Sequence, residues 1–225
     1  MAHGEITLYQ KVTVKMIITK TLNLGKNNFL KKLSDTNISS NSNDIEYFHL
    51  GYPIYPLSLR GSIVVRFNLN FLSDNEQSFI FGSPIDTGSI KYNFITSQLP
   101  IDEFISNVSC DYKKFYSLCM ELKKLSTPEL DNILHHSATY NLNKIIDNYF
   151  IPEVSDVIKK STNPHSRLFE VCLDGNFHIK KEHISSIYIP NTYCDTLLLK
   201  KIIKIYSRRV FYYNPKYGMD VISYG

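Results

Sequence analysis

The sequence has no tryptophan and no Cys-x-x-Cys pair, and none of its four cysteines, at 110, 119, 172 and 194, has a histidine at zinc-finger spacing. They read as reduced thiols, and neither a metal nor a cofactor is expected. Gly-x-x-x-x-Gly-Lys-Ser/Thr, a Rossmann glycine pattern and His-Glu-x-x-His are also missing, which removes the usual grounds for nucleotide hydrolysis and zinc proteolysis. No apolar run approaches the ~18 residues of a membrane-crossing helix. The first residues lack the basic-then-apolar pattern of a secretory leader, so a protein that is not secreted is expected. Net charge is only +4, too small for a polycation. Any hold on nucleic acid or an anionic membrane must come from local clustering.

What the chain does have is 16 Tyr and 13 Phe in 225 residues, beside many Ile, Asn, Lys and Ser, a bias that AT-rich viral or parasite genomes produce. Its hydrophobic content of 43% is enough for a folded core. Residues 9–20 alternate, with Val12, Val14, Met16 and Ile18 on one face and lysines on the other, and predict a strand. A short helix is expected around Phe29–Leu33 and an exposed loop over 34–44. Pro53 and Pro56 keep 47–57 extended but argue against a central strand. Residues 62–71 predict a strand with Ile63, Val65, Phe67, Leu69 and Phe71 inward. With 79–81 and 90–96 it would form an antiparallel meander.

From Ile101 the period lengthens to that of a helix. Phe115, Leu118, Cys119 and Leu122 make one apolar stripe, and further helices are expected over 126–134, 141–150 and 153–160. Residues 167–181 predict a hairpin turning at Asp174-Gly175-Asn176. An amphipathic helix over 195–208 and a last hairpin over 210–223 follow. The expectation is one α+β domain over 1–225, with a mixed, mainly antiparallel sheet from the N- and C-terminal strands (~8–96 and ~167–223) and a helical middle (~101–160).

On the 195–208 helix, Lys200, Lys201, Lys204 and Arg208 share an arc of ~100°, opposite Leu198, Leu199, Ile202, Ile205 and Tyr206. Arg209 extends the basic end, with Lys180 and Lys181 as candidate neighbours. This cluster would bind anionic lipid headgroups or a nucleocapsid, although basic residues at a helix C-terminus also steady its dipole. Two His-x-Ser pairs, His135/Ser137 and His183/Ser185, have the spacing of two-histidine phosphoesterases. The first falls at a helix end, where i and i+2 diverge, and solvent-facing polar residues are the expected outcome for both pairs.

Two family resemblances bear on function. "GSPI" (82–85), Tyr140 and Lys144 at Tyr-x-x-x-Lys spacing, "LDGNFHIKK" and "IPN" (189–191) resemble pieces of the poxins, viral and insect nucleases that degrade cyclic GMP-AMP without metal. That resemblance implies His49, Tyr140 and Lys144 as catalytic residues, one deprotonating a ribose hydroxyl and the others steadying phosphate. "LYQKVTVKMIITKT" near the start and "LKKIIKIYSRRVFYYNPKYGMDVIS" at the end resemble the core of rhabdovirus matrix proteins. This second resemblance implies a non-enzymatic virion protein that self-associates, binds the inner membrane face and condenses the nucleocapsid. It also implies residence in the virion and the host cytoplasm or nucleus, peripheral at membranes. The matrix reading is the first expectation and the nuclease the alternative.

Overall fold

The computed structural model describes residues 18–22, 27–35, 45–50, 63–83, 109–124, 169–193, 196–214 and 222–223, with 106 and 152 singly. Within them the chain is an α+β fold on one eight-stranded sheet. Its strands are β1 (Ile18–Leu22), β2 (Ile45–Leu50), β3 (Ile63–Phe67), β4 (Phe79–Ser83), β5 (Glu170–Asp174), β6 (Ile184–Pro190), β7 (Val210–Tyr213) and β8 (Ile222–Ser223). They lie in the order β4-β5-β2-β1-β3-β6-β7-β8. All neighbours are antiparallel except β6 and β7. A parallel pair needs a crossover, and helix α4 (Leu197–Tyr206) supplies it. The other described helices are α1 (Asn27–Ser34), α2 (Asn70–Ser73) and α3 (Tyr112–Lys123).

One face of the sheet carries the main core. Phe48 and Leu50 of β2, Ile63, Val65 and Phe67 of β3, Val171 and Leu173 of β5, and Ile184, Ile187 and Ile189 of β6 pack with apolar residues of all four helices. α3 starts where the Asp111 carboxylate accepts the Lys114 N–H at 2.8 Å, a cap that satisfies an orphan donor. It buries the expected four residues, Phe115, Leu118, Cys119 and Leu122. The expected helix near Phe29 is present, one turn longer than its apolar residues required, and the closing β7/β8 pair is antiparallel as expected.

Four expectations are corrected. The strand expected to run to Phe71 stops at Phe67. Asn68 Oδ1 accepts the Asn70 N–H at 3.0 Å, and Asn68 Nδ2 donates to the Glu182 carbonyl at 2.7 Å, so an Asx turn feeds α2. Phe71 still reaches the core from α2, where it stacks on Phe67 of β3 with centroids 4.3 Å apart. The expected pairing of β3 with β4 is absent among the described residues. β3 pairs with β1 and β6, whereas β4 lies at the far edge against β5. Residues 90–96 lie outside the described residues.

β2 is central, between β5 and β1, because it ends at Leu50, before either proline. The turn at Asp174 forms as expected, with Asp174 Oδ1 accepting the Asn176 N–H at 2.8 Å. Its return arm does not pair with β5, because the Asn75 side chain takes both backbone groups of His178, accepting from its N–H at 2.6 Å and donating to its carbonyl at 2.9 Å. The helices expected over 126–160 and the loop residues 36–44 lie outside the described residues.

Edge strand β4 is held by Gly82, whose N–H and carbonyl exchange hydrogen bonds with Cys110 at 2.9 and 2.8 Å. A Cβ at Gly82 would enter the Phe115 ring. We expect Gly82→Ala to lower unfolding free energy by about 1–3 kcal/mol through overpacking. Adding Phe115→Leu should recover part of that loss in a double-mutant cycle read by urea midpoints.

Candidate functional site

α4 begins at Thr196, whose Oγ1 accepts the Leu199 N–H at 3.3 Å. This cap sets the phase of the helix. Leu199, Ile202 and Tyr206 are buried, and Leu198, Ile203 and Ile205 pack at the margin of the core. Lys200, Lys201 and Lys204 are exposed on the solvent side of α4, whereas Arg208, expected on the same helix, is exposed in the 3-10 turn 207–209 that follows it. Arg209 is different. It is half-buried, and its Nη1 donates to the carbonyls of Lys181 and of Ile184, the latter at 2.6 Å. Arg209 therefore ties the end of α4 to the start of β6, and this contact brings the Lys181 backbone to the basic end of the helix. The Tyr206 hydroxyl has no hydrogen-bond partner among the described residues, and burial raises its pKa.

His49 is the one residue of the expected catalytic trio that falls within the described residues; Tyr140 and Lys144 lie outside them. Because Phe48 and Leu50 face the core, His49 points to the other side of the sheet. There it belongs to a transverse row. Ser83 of β4 pairs with Glu170 of β5, Glu170 with His49 of β2, His49 with Thr19 of β1, Thr19 with Arg66 of β3, and Arg66 with Ser186 of β6. Ser83, Glu170, His49, Arg66 and Ser186 are all buried. Arg66 Nη1 donates to the Tyr188 hydroxyl at 3.0 Å, and the guanidinium lies 4.8 Å from that ring's centroid. Glu170 also faces Tyr47, whose phenol is pushed up first by burial and then by Cys172 and Glu170.

The row has consequences for chemistry. Directly opposite residues on adjacent strands share a face with Cβ atoms ~5 Å apart, so His49 and Glu170 are buried neighbours on that face. Ser83 stands two strand spacings, about 9.5 Å, from His49. No sequence motif announced the row, since its six members come from six separate strands. The only available signal was that His49 and Arg66 interrupt apolar alternation.

The second histidine of interest, His183, was expected to face solvent and is instead fully buried, whereas Ser185 is exposed. His183 and Ser185 therefore do not converge on a cleft; His135 and Ser137 lie outside the described residues. The Lys180 N–H donates to His183 Nδ1 at 3.1 Å, which fixes the proton on Nε2, and Nε2–H donates to Asp74 Oδ2 at 3.0 Å. Both ring nitrogens are engaged, so His183 has no lone pair for a substrate. It is a buried bracket between α2 and the start of β6. The three described thiols are buried as well. Burial raises Cys110 to about 11 and Cys119 further still, and Cys172 is buried and free of any disulfide.

Among the described residues there is no group of His, Cys, Asp and Glu able to hold a metal, and no helix long and apolar enough to cross a membrane. No family model, curated protein or solved structure matches the chain. The two resemblances therefore rest on the residues quoted for them.

The Asp74 carboxyl is held below its ordinary 3.8, first by the Lys180 ammonium and then by His183. A depressed carboxyl adds stability above its unfolded value and loses it as pH falls through the folded one. We expect Asp74→Asn to lower the urea midpoint at neutral pH, and the gap from the parent protein to shrink as pH drops below 3.8.

Proposed function

We propose that the chain is a non-enzymatic structural protein of the viral matrix type, which self-associates and engages an anionic partner, headgroups or nucleocapsid, through the solvent face of α4. The observation that carries this reading is the cationic face itself. Three lysines are exposed on a helix whose other side is buried in the core, Arg208 is exposed in the turn after it, and α4 has no acidic residue to offset them. A cation near an anionic surface is worth about 1 kcal/mol, so four together give useful affinity at physiological salt. We expect the protein to co-float with phosphatidylserine vesicles or to retard RNA, in either case less as salt rises. Replacing Lys200, Lys201, Lys204 and Arg208 together by Glu should abolish both. Undiminished binding by that variant at matched fold stability would remove the proposed role.

One observation favours a second reading, the poxin-like nuclease. His49 is buried and stands opposite Glu170 on the adjacent strand, which puts a candidate general base beside a carboxyl group. Under this reading the protein would cleave cyclic GMP-AMP in the presence of a chelator, and Tyr140→Phe and His49→Gln would each abolish turnover. Failure of the parent protein to consume cyclic GMP-AMP under those conditions would dispose of it.

A further inference from the structure

Leu197, the first residue of α4, is 87% exposed, more than any other large apolar residue among those described. At about 100° per residue, Leu197, Lys201 and Lys204 fall within an arc of ~60°, so the leucine lies inside the cationic stripe, with Lys200 at its border and Arg208 exposed in the 3-10 turn that follows the helix. The helix cannot hide it. Leu199, Ile202 and Tyr206 hold the opposite side against the core, and the Thr196 cap fixes the turn at which the helix starts.

The pairing of an outward leucine with flanking cations discriminates between anionic partners. A phosphate backbone is held by ammonium and guanidinium groups, and single-stranded RNA is read by aromatic platforms. Neither gains from a leucine, which would stay in water. A bilayer interface gains from both parts, since lysine stems lie along apolar surface with their heads among the phosphates while the leucine enters the acyl boundary.

We infer that the solvent face of α4 is a shallow docking surface for anionic lipid, with Leu197 the residue that enters the membrane and Lys201, Lys204 and Arg208 its headgroup contacts. The inference rests on the anion-binding reading above and names its partner.

The chain lacks tryptophan, so Leu197→Trp places a single indole reporter at the site. With vesicles of phosphatidylcholine and phosphatidylserine, its emission should shift to the blue. Vesicles of phosphatidylcholine alone and single-stranded RNA should leave it unchanged. Leu197→Ser, at an exposed position, should keep the parent's thermal midpoint and lose about tenfold in vesicle partitioning, the worth of one buried leucine side chain. Its RNA retardation should equal the parent's. If vesicle binding depends on the lysines but Leu197→Ser partitions as well as the parent and the indole stays wet, the lipid inference falls and anion binding survives. If RNA but not vesicles is bound, the inference likewise falls. Binding to neither overturns both.

Discussion

The fold depends on the burial of Phe48. Its ring lies 6.1 Å from Phe29 of α1, 5.9 Å from Phe67 of β3, 5.2 Å from Phe71 of α2 and 5.6 Å from Phe177 beyond the β5 turn. One side chain on a central strand thus joins elements that span the sequence from residue 29 to residue 177. Edge-to-face and offset pairs of this kind add about 0.5–1.5 kcal/mol each beyond the area they bury. The neighbours reinforce it. Lys32 of α1 lies 3.9 Å from the Phe177 centroid and donates to the Gly175 carbonyl, so the helix, the turn and the aromatic cluster are joined at one point.

Because side chains alternate along a strand, placing Phe48 in the core commits His49 to the opposite face, and a slip of one residue would exchange them. The same holds for Val65 against Arg66 and for Val171 against Glu170. Six strands in register then turn six separate local choices into one polar row. Burying ionisable groups on a central sheet is costly unless they are paired or hydrogen-bonded. Arg66 meets that condition at least in part through the Tyr188 hydroxyl and ring. The row is thus a by-product of how the core was built, and whether it also does chemistry is a separate question from why it is there.

Much of this was legible where one physical pattern ruled alone. The 3.6-residue period of Phe115, Leu118, Cys119 and Leu122 had no competitor, and the stripe is buried. The strand and helix content and the mainly antiparallel sheet followed from the same kind of signal. Misreadings arose where two periods coincide. Phe67, Leu69 and Phe71 satisfy an alternation of two, yet Phe71 and Leu72 also fit a helical turn, and the Asn68 side chain marks where the strand gives way to it. Pairing across long separations was not legible. Nothing local distinguishes β4 as the partner of β5 from β4 as the partner of β3. The deciding contacts are between Asn75 and His178, 103 residues apart. His183 was misplaced for the same reason, since its partner Asp74 is 109 residues away.

The basic helix lies between these cases. Its amphipathic character was plain, but three leucines in succession, 197 to 199, leave open which of them faces the core. The phase is settled by Ile202 and Tyr206 downstream, which lie within ~60° of Leu199 and about 140–180° from Leu197. Once those two are buried, Leu199 follows them inward, Leu198 falls at the margin, and Leu197 must face water beside Lys201 and Lys204. An outward leucine there adds nothing to the core, and a polar residue would start the helix equally well after Thr196. Packing accounts for every other apolar residue of α4, so it is Leu197 alone whose chemistry points away from the fold and towards a surface outside it.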